Sequence, residues 1–318
     1  MQKVVLIPED IHIAGKEYLL DRGYSLIVGI PTDVSSLKQA VEHVDALIVR
    51  NAIYPKEVIA AGKNLKVIAR HGVGVDNIDI ETAEKRGIWV TNGPNSNSNA
   101  VAEFVVATIM TLSTNILIAN NQIREGNWNY RLQMQRNEVM GKIVGIIGFG
   151  GIGQLVAKKL VEGLGMRAIV YSIPRVSESP YPDSLTICDN LDELLSTSDF
   201  VTCHLPLNTH TQGMLNYDAF SLMKRTAYLI NCSRGGICVE DDLMRALNES
   251  VIAGAALDVF EEEPLVMSPL FEMENVILTP HMAGFSEESK INMAVFAAMG
   301  VDDVLNGRKP AWPVNTPI

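Results

Sequence analysis

The chain alternates short runs of β-branched and aliphatic residues with longer amphipathic segments, in two successive series. The first series comprises runs at 4–7, 26–28, 46–49, 66–69 and 88–90, and the second comprises runs at 143–147, 168–172, 200–205, 227–231, 253–259 and 275–279. Strands that alternate with helices in this way form parallel sheets with helices on both faces. The sequence therefore predicts an α/β protein with two doubly wound parallel sheets in tandem.

A long helical segment beginning at Ala100 separates the two series. Apolar residues recur along it at steps of three and four, and others lie off this stripe and form a second apolar face. The stripe contains Val101, Phe104, Val105, Ile109, Leu112 and Ile116, and the second face contains Val106, Met110, Leu117 and Ile118. A helix that is apolar on two sides packs deep in a core or at a subunit interface. The pattern leaves both readings open, and a last helical segment is predicted over 287–307.

Composition restricts the class of function. The 318 residues carry a formal net charge of −11, so the chain has no general attraction for nucleic acid or anionic membranes. No apolar stretch reaches the roughly 18 residues of a membrane span, and no signal peptide is recognisable. The cysteines form no Cys-x-x-Cys pair, so neither a disulfide framework nor a metal site is expected. A cytoplasmic protein is the expectation.

A glycine-rich turn follows the run at 143–147 directly. It reads Gly148-Phe149-Gly150-Gly151-Ile152-Gly153 and leads into an amphipathic segment. In a strand–turn–helix context the three spaced glycines allow a tight turn, close approach of a pyrophosphate and close packing of helix on sheet. The N–H groups at the start of the helix then attract phosphate. A dinucleotide cofactor is predicted here.

The end of the next run bears on which dinucleotide is bound. An acidic residue is expected there to accept hydrogen bonds from the ribose of NAD. The chain instead has Ser172, with Arg175 three residues later. This pair removes a repulsive charge and offers a contact to a 2′-phosphate, which favours NADP or use of both cofactors over strict NAD. The alternative is that Arg175 is a solvated loop residue.

Three further strings follow predicted strand ends in the second series. They are Asn231-Cys232-Ser233-Arg234-Gly235-Gly236, Asp258-Val259-Phe260-Glu261-Glu262-Glu263-Pro264 and Thr279-Pro280-His281-Met282-Ala283-Gly284. Ligands of open parallel sheets bind at the carboxyl ends of the strands. An arginine there can hold a carboxylate through two hydrogen bonds, and a histidine can transfer a proton. Taken singly, each string is also compatible with a surface loop.

In this order after the glycine turn, the three strings resemble the D-isomer-specific 2-hydroxyacid dehydrogenase family. The stretches 70–79, 95–103 and 203–215 are similar to the family as well, so the resemblance covers essentially the whole chain. It implies an NAD(P)-dependent oxidoreductase that transfers a hydride between the nicotinamide and a small 2-keto or 2-hydroxy acid. His281 would be the general acid/base, Glu263 its carboxylate partner, and Arg234 the ligand of the substrate carboxylate and keto oxygen.

The resemblance also implies contacts with cofactor and substrate. Beside the glycine turn, the cofactor pocket would include Pro206, Thr211, Cys232, Ser233, Asp258 and Gly284. The substrate would meet Arg50, Asn97 and an anion-binding nest of backbone N–H groups at Val73 and Gly74. An ordinary strand-to-helix turn is the alternative for the last segment.

The resemblance further implies a domain arrangement. Residues 1–100 and 287–318 would form a flavodoxin-like substrate domain, into which a Rossmann cofactor domain at 101–286 is inserted. The site would lie between the domains, where closure excludes water. The helical segment after Ala100 would form a homodimer interface, and no regulatory extension is expected.

Two alternatives to a glyoxylate/hydroxypyruvate-type reductase stay open. Arg50 and Arg70 could instead bind the phosphate of 3-phosphoglycerate, or hold the sheet edge. The NADP signal at Ser172 favours the reductase, because NADPH normally drives reduction. A formate dehydrogenase is disfavoured, since that type has Gln where Glu263 stands. In a different class, a dinucleotide-sensing co-repressor would retain the same residues without turnover.

Overall fold

The computed structural model describes residues 2–134, 136–173, 176 and 178–317, and the chain divides into two compact units. The first unit contains residues up to Asn97 together with Phe285 onward, and the second runs from Ser98 to Gly284. The first unit is thus built from two separate stretches of chain, and the second from one.

The strands are β1 Val4–Ile7, β2 Ser25–Val28, β3 Ala46–Val49, β4 Val67–Arg70, β5 Trp89–Thr91, β6 Ile143–Ile147, β7 Arg167–Tyr171, β8 Leu185–Ile187, β9 Phe200–Cys203, β10 Tyr228–Asn231, β11 Gly254–Leu257 and β12 Val276–Leu278. The α-helices are α1 Ile13–Leu20, α2 Val34–Val41, α3 Lys56–Ala61, α4 Ile80–Lys85, α5 Ser98–Thr114, α6 Ile116–Arg124, α7 Gly151–Leu164, α8 Leu191–Thr197, α9 Tyr217–Leu222, α10 Glu240–Asn248 and α11 Glu287–Leu305. Short 3₁₀ turns lie at Trp128–Leu132, Gly235–Ile237 and Pro269–Glu272.

The first unit contains a parallel sheet in the order β2-β1-β3-β4-β5. This is the strand order of flavodoxin-like folds, in which the chain reverses direction across the sheet between β1 and β3. Helix α11 packs small residues onto one face, where they share a core with the strand residues. This core includes Val5, Ile7, Ile48, Val67, Ala294, Ala297, Ala298 and Val301, each at most 1% exposed. The C-terminal helix is therefore an integral part of the first unit.

The second unit contains a seven-stranded parallel sheet in the order β12-β11-β10-β9-β6-β7-β8. Strand β6 lies between β7 and β9. The chain adds β7 and β8 on one side of β6, and then crosses to add β9 to β12 on the other side. This reversal is the place where open α/β sheets bind ligands, at the carboxyl ends of the strands. The predicted fold class, two doubly wound parallel sheets, is confirmed.

The helical segment after Ala100 differs from the prediction of one continuous helix. It breaks at Asn115, whose φ of 51° is left-handed, and the axes of α5 and α6 differ by 59°. The second apolar face drawn along a single helix was therefore wrong beyond this point. Helix α5 buries Val105 and Ile109 in the core of the second unit, whereas α6 has no buried residue.

No single helix of the described chain is long and apolar enough to cross a membrane. The bent pair α5 and α6 passes that test together, by length and composition alone. In the structure α5 belongs to the core of the second unit, packed with residues of α7 and of the sheet.

Candidate active site

The glycine turn between β6 and α7 has the geometry that its spacing predicts. Gly148 has a φ of +95°, and a Cβ there would lie 2.8 Å from the carbonyl oxygen of His204. A Cβ on Gly153 would lie 2.2 Å from the carbonyl oxygen of Gly148, so this glycine allows α7 to pack against the turn. Gly150, in contrast, faces open space within 4 Å. The outer two glycines are required by the fold, whereas the middle one leaves room for a ligand.

The start of α7 fits a dinucleotide pyrophosphate. Gly150 is the residue before the helix, and it offers no side chain to accept hydrogen bonds from the first turn. The first N–H groups of a helix need an acceptor from outside the helix, and they carry the positive end of the helix dipole. The open space at Gly150 and these N–H groups together suit phosphate oxygens.

Ser172 lies beside the same turn, directly after β7. Its Oγ accepts a hydrogen bond of 3.3 Å from the backbone N–H of Phe149. The serine thus stands next to the phosphate-binding turn, where the ribose-binding acid of NAD enzymes is expected. Arg175, the other half of the NADP prediction, lies outside the described residues.

His281 and Glu263 are hydrogen-bonded. Nδ1 of His281 lies 2.7 Å from Oε2 of Glu263, and both side chains are partly exposed. The second oxygen of Glu263, Oε1, accepts a hydrogen bond of 3.0 Å from the backbone N–H of Phe260. The orientation of the carboxylate is therefore fixed from both sides, and the imidazole is held through Nδ1.

The pKa of Glu263 reflects this environment. Desolvation by burial raises it, but the hydrogen bonds from His281 and from the Phe260 N–H lower it, and the charges of His281 and Arg234 act in the same direction. The net result is a pKa below the ordinary value of 4.5. Glu263 is therefore a carboxylate at neutral pH.

Asp258 holds the turn that carries His281. Its Oδ1 accepts hydrogen bonds from Thr279 Oγ1 at 2.7 Å and from the backbone N–H of Met282 at 2.8 Å, and Oδ2 accepts one from the N–H of Ala283 at 2.8 Å. The turn needs support, because His281 itself has a φ of +50°. Such backbone conformations persist when the surroundings enforce them. Asp258 is only 1% exposed, so its side chain lies beneath this turn.

Arg234 is placed by a buried amide. Asn231, at the end of β10, is fully buried and donates from Nδ2 to the carbonyl oxygen of Arg234 at 3.0 Å. Its Oδ1 accepts hydrogen bonds from the N–H and Oγ of Ser233. The guanidinium donates back to the Ser233 carbonyl at 2.8 Å, and its charge acts on Glu263. The turn after β10 is thereby fixed next to the histidine–glutamate pair.

Gly235 joins the two strand ends. A Cβ on this residue would lie 1.9 Å from the carbonyl carbon and oxygen of Phe260. Only glycine permits this approach of backbone to backbone. The segment that carries Arg234 and the segment that carries Glu263 are therefore in direct contact.

Thr211 and Pro206, two of the residues predicted to line the cofactor pocket, are hydrogen-bonded to each other. Thr211 donates to the Pro206 carbonyl at 2.6 Å and accepts from the N–H of Asn208, so it stabilises the turn after β9. Cys232 is partly exposed, and burial together with the Asp258 charge raises the pKa of its thiol well above the usual range. The contacts of these residues with a cofactor stay predictions.

The predicted substrate residues belong to the first unit. Arg50 donates from Nη1 to the carbonyl oxygen of Asp10 at 2.7 Å. Val73 is 37% exposed, in a loop directly after β4. Asn97 has a buried Oδ1 without a hydrogen-bond partner within the described residues. Their roles in substrate binding also stay predictions.

Sequence reasoning missed two residues that shape the site. Asn231 and Gly235 belong to the string around Arg234, but the sequence assigns neither of them a role of its own. The Asn231 amide bonds to the backbone of Ser233 and Arg234. Gly235 allows the backbone of Phe260 to approach closely. A polar residue at the end of a buried strand was the one signal that could have pointed to Asn231.

Within the described residues, no group of three or more His, Cys, Asp or Glu is placed to hold a metal.

Residues 106–283 match the family model for the NAD-binding domain of D-isomer-specific 2-hydroxyacid dehydrogenases. The chain belongs to this family. The family resemblance stated from the sequence is thus confirmed, and the second unit is an NAD-binding domain of the type found in these dehydrogenases.

Relatives with different names are similarly close. The chain is 42% identical over 278 residues to D-3-phosphoglycerate dehydrogenase of Synechocystis, covering 87% of this chain and 50% of the relative. It is 39% identical over 287 residues to glyoxylate reductase of Thermococcus litoralis, covering 88% and 86%. Among solved structures, an NADPH-dependent glyoxylate/hydroxypyruvate reductase of Sinorhizobium meliloti matches with a TM-score of 0.88 at 26% identity, covering 99% and 98%. The chain spans about half the length of the phosphoglycerate dehydrogenase that it matches, but most of the glyoxylate reductase.

Proposed function

We propose that the protein is an NAD(P)-dependent oxidoreductase that reduces a small 2-keto acid of the glyoxylate or hydroxypyruvate type. The observation that carries this proposal is the hydrogen bond between His281 and Glu263, next to Arg234 and at the strand ends of the NAD-binding unit. A proton donor, a carboxylate that orients it and a carboxylate-binding arginine are what reduction of a 2-keto acid requires.

When bound, the nicotinamide supplies the hydride that reduces the keto carbon. The chain's own residues supply the rest. Because Glu263 engages Nδ1, the other ring nitrogen of His281 is the one that protonates the keto oxygen as negative charge develops there. Arg234 binds the substrate carboxylate and stabilises the same developing charge, and Asp258 keeps the histidine turn in place.

Cofactor preference for NADPH is part of the proposal. Ser172 replaces the acid that would repel a 2′-phosphate, and a solved relative is named as NADPH-dependent. Ser172→Asp is expected to lower kcat/KM for NADPH strongly and to leave NADH less affected, because a carboxylate beside a phosphate is repulsive. Ser172→Ala is the matched control, since it removes the hydroxyl without adding charge.

The direct test of function is an absorbance assay at 340 nm. Glyoxylate, hydroxypyruvate, pyruvate, a bulkier 2-keto acid and 3-phosphohydroxypyruvate are each offered with NADH and with NADPH. Turnover of the small keto acids, best with NADPH, supports the proposal. Cofactor binding without turnover of any of these acids would reject it and favour the co-repressor-like alternative.

A second candidate, D-3-phosphoglycerate dehydrogenase, is favoured by the 42% identity to the relative of that name. Its signature in the same assay is selective turnover of the phosphorylated acid with NADH. That result would overturn both the reductase assignment and the NADPH preference.

We also propose a homodimer that uses the surface of α6 and the turn that follows it. Large apolar side chains are exposed there: Ile116 at 57%, Leu117 at 49%, Ile123 at 47%, Trp128 at 63% and Leu132 at 78%. Exposed apolar clusters of this kind mark contact surfaces. Leu117→Glu is expected to convert a dimer to a monomer in light scattering, whereas Leu20→Glu, on an equally exposed leucine of α1, is not.

A further inference from the structure

Arg70, the last residue of β4, hydrogen-bonds to three backbone carbonyl groups around the loop that follows it. Nε donates to the carbonyl oxygen of Gly74 at 2.7 Å, and Nη1 donates to that of His71 at 2.8 Å. Nη1 also reaches the carbonyl oxygen of Val49, the last residue of β3, at 3.4 Å. The side chain therefore links the end of the neighbouring strand to both ends of the loop 71–74.

Every carbonyl oxygen of this loop has a donor within the first unit. Arg70 serves the first and last, the N–H of Gly93 donates to Gly72 at 2.8 Å, and Nδ2 of Asn92 donates to Val73 at 2.7 Å. All four carbonyl oxygens of the loop therefore accept a hydrogen bond from within the first unit.

The N–H groups of the same loop divide into two kinds. Those of His71 and Gly72 are bonded to the carbonyl oxygens of Val49 and Arg70. Those of Val73 and Gly74 have no acceptor in the described part of the chain. Successive N–H groups without acceptors make a site for an anion, provided that the loop is held in shape. The bonded carbonyl oxygens fix the shape of the loop, and the N–H groups of Val73 and Gly74 can therefore form an anion site.

We propose that Arg70 is a positioning residue that holds the 71–74 loop, so that the Val73 and Gly74 N–H groups can bind the substrate carboxylate. The inference rests on the proposed function, because it requires that the substrate is a small 2-keto acid with a carboxylate. It differs from the alternative in which Arg70 binds a substrate phosphate, because Nε and Nη1 are engaged by backbone carbonyls. Arg70 acts on the substrate only through the loop.

The geometry explains why an arginine is needed. The guanidinium is planar and offers donors in a fixed fork, whereas a lysine ammonium is a single point on a flexible stem. It also lies against Gly72, whose φ is +136°: a Cβ there would stand 3.5 Å from Cζ of Arg70. A lysine would reach one of the carbonyl groups and leave the others unbonded, and the loop would lose its fixed shape.

The test compares Arg70→Lys with Arg86→Lys. Arg86 is a matched control, because it also donates to two backbone carbonyls of the first unit, those of Ile59 and Gly62, away from this loop. The measurements are KM and kcat for glyoxylate, the Kd of NADPH, and the Kd of oxalate for the enzyme saturated with oxidised cofactor. Oxalate serves as the probe because it carries the same carboxylate and does not require turnover.

Arg70→Lys is expected to raise KM for glyoxylate and Kd for oxalate about tenfold or more, the range for loss of hydrogen bonds to a charged group. The Kd of NADPH stays unchanged, and kcat falls less than KM rises, because the lost contact serves substrate and transition state alike. Arg86→Lys leaves all of these constants near those of the wild type. An effect of Arg70→Lys confined to 3-phosphohydroxypyruvate, or an equal effect of Arg86→Lys, would overturn the inference.

Failure of the proposed function has a different signature. If the wild-type enzyme turns over no 2-keto acid, the proposed function fails, and oxalate binding still decides the role of Arg70. Weaker oxalate binding by Arg70→Lys than by the wild type supports it. Equal binding by the two proteins, or no binding by the wild type, overturns it.

Discussion

Glu263 meets His281 at Nδ1, at 2.7 Å, and its other oxygen is held by the Phe260 N–H. The imidazole is therefore oriented by a carboxylate that cannot rotate freely. Of the two ring nitrogens, Nδ1 is engaged by Glu263, so the proposed function assigns proton transfer to Nε2.

Glu263→Gln is expected to lower kcat/KM for reduction about tenfold or more, since an amide replaces the ionised carboxylate that holds Nδ1 of His281. The pKa of Glu263 lies below its ordinary 4.5, so the wild-type group is a carboxylate throughout the neutral range. The measurement is kcat/KM at neutral pH in the 340 nm assay. Glu262→Gln, at an exposed neighbour, should retain the wild-type value; an unchanged kcat/KM in Glu263→Gln would contradict the assigned role.

Gly235→Ala is expected to lower the free energy of unfolding by about 1–3 kcal/mol and to reduce activity, because its Cβ would overlap the Phe260 carbonyl at 1.9 Å. Denaturant unfolding and the 340 nm assay measure the two effects. Gly236→Ala is the control: its Cβ would meet only the end of the Leu207 side chain at 3.3 Å, which can shift. Similar losses in both variants would argue against a special role of the close approach.

Substitutions in the glycine turn should separate cofactor binding from folding. Gly150→Ala places a methyl group in open space, so thermal stability is retained while the Kd of NADPH rises about tenfold or more. Gly153→Ala overlaps the Gly148 carbonyl at 2.2 Å and should lower the melting temperature instead. Fluorescence titration and thermal unfolding distinguish the two; unchanged cofactor affinity in Gly150→Ala would place the pyrophosphate elsewhere.

His71 should make the protein less stable in acid. Burial, followed by the charges of Arg50 and Arg70, lowers its pKa from 6.5 to about 3. Between these values the unfolded chain binds one proton more than the folded chain, so stability falls as pH falls, by at most about 1.4 kcal/mol per pH unit. His71→Asn should flatten the dependence of the unfolding free energy on pH between 6.5 and 3. His210→Asn, at an exposed histidine, should leave the slope as in the wild type.

The sequence predicted both sheets and all of their strands except β8. The runs of β-branched residues lie within two residues of the observed strands, because buried parallel strands need such runs. Strand β8 was missed: it has only three residues, with Thr186 at its centre and an exposed side chain there. Strand β8 forms by pairing with β7, and this tertiary contact leaves no pattern in the local sequence.

The break at Asn115 shows a second limit. Apolar periodicity continues across it, so the pattern predicts one helix where the structure has two. Asparagine tolerates left-handed backbone better than most residues, but one such residue does not by itself announce a break. The contact of Asp258 with the His281 turn likewise spans more than twenty residues, beyond the reach of spacing arguments.

The order in which the chain leaves the ribosome has a consequence for assembly. The second unit is continuous, so all of its strands are available once Gly284 has been synthesised. The sheet of the first unit is synthesised earlier, yet α11, which covers one of its faces, follows the whole second unit. This cover is close-packed, because a Cβ on Gly15 of α1 would lie 2.7 Å from the carbonyl oxygen of Ala294. The nascent first unit therefore leaves apolar sheet residues uncovered until α11 emerges, whereas the NAD-binding unit can already fold.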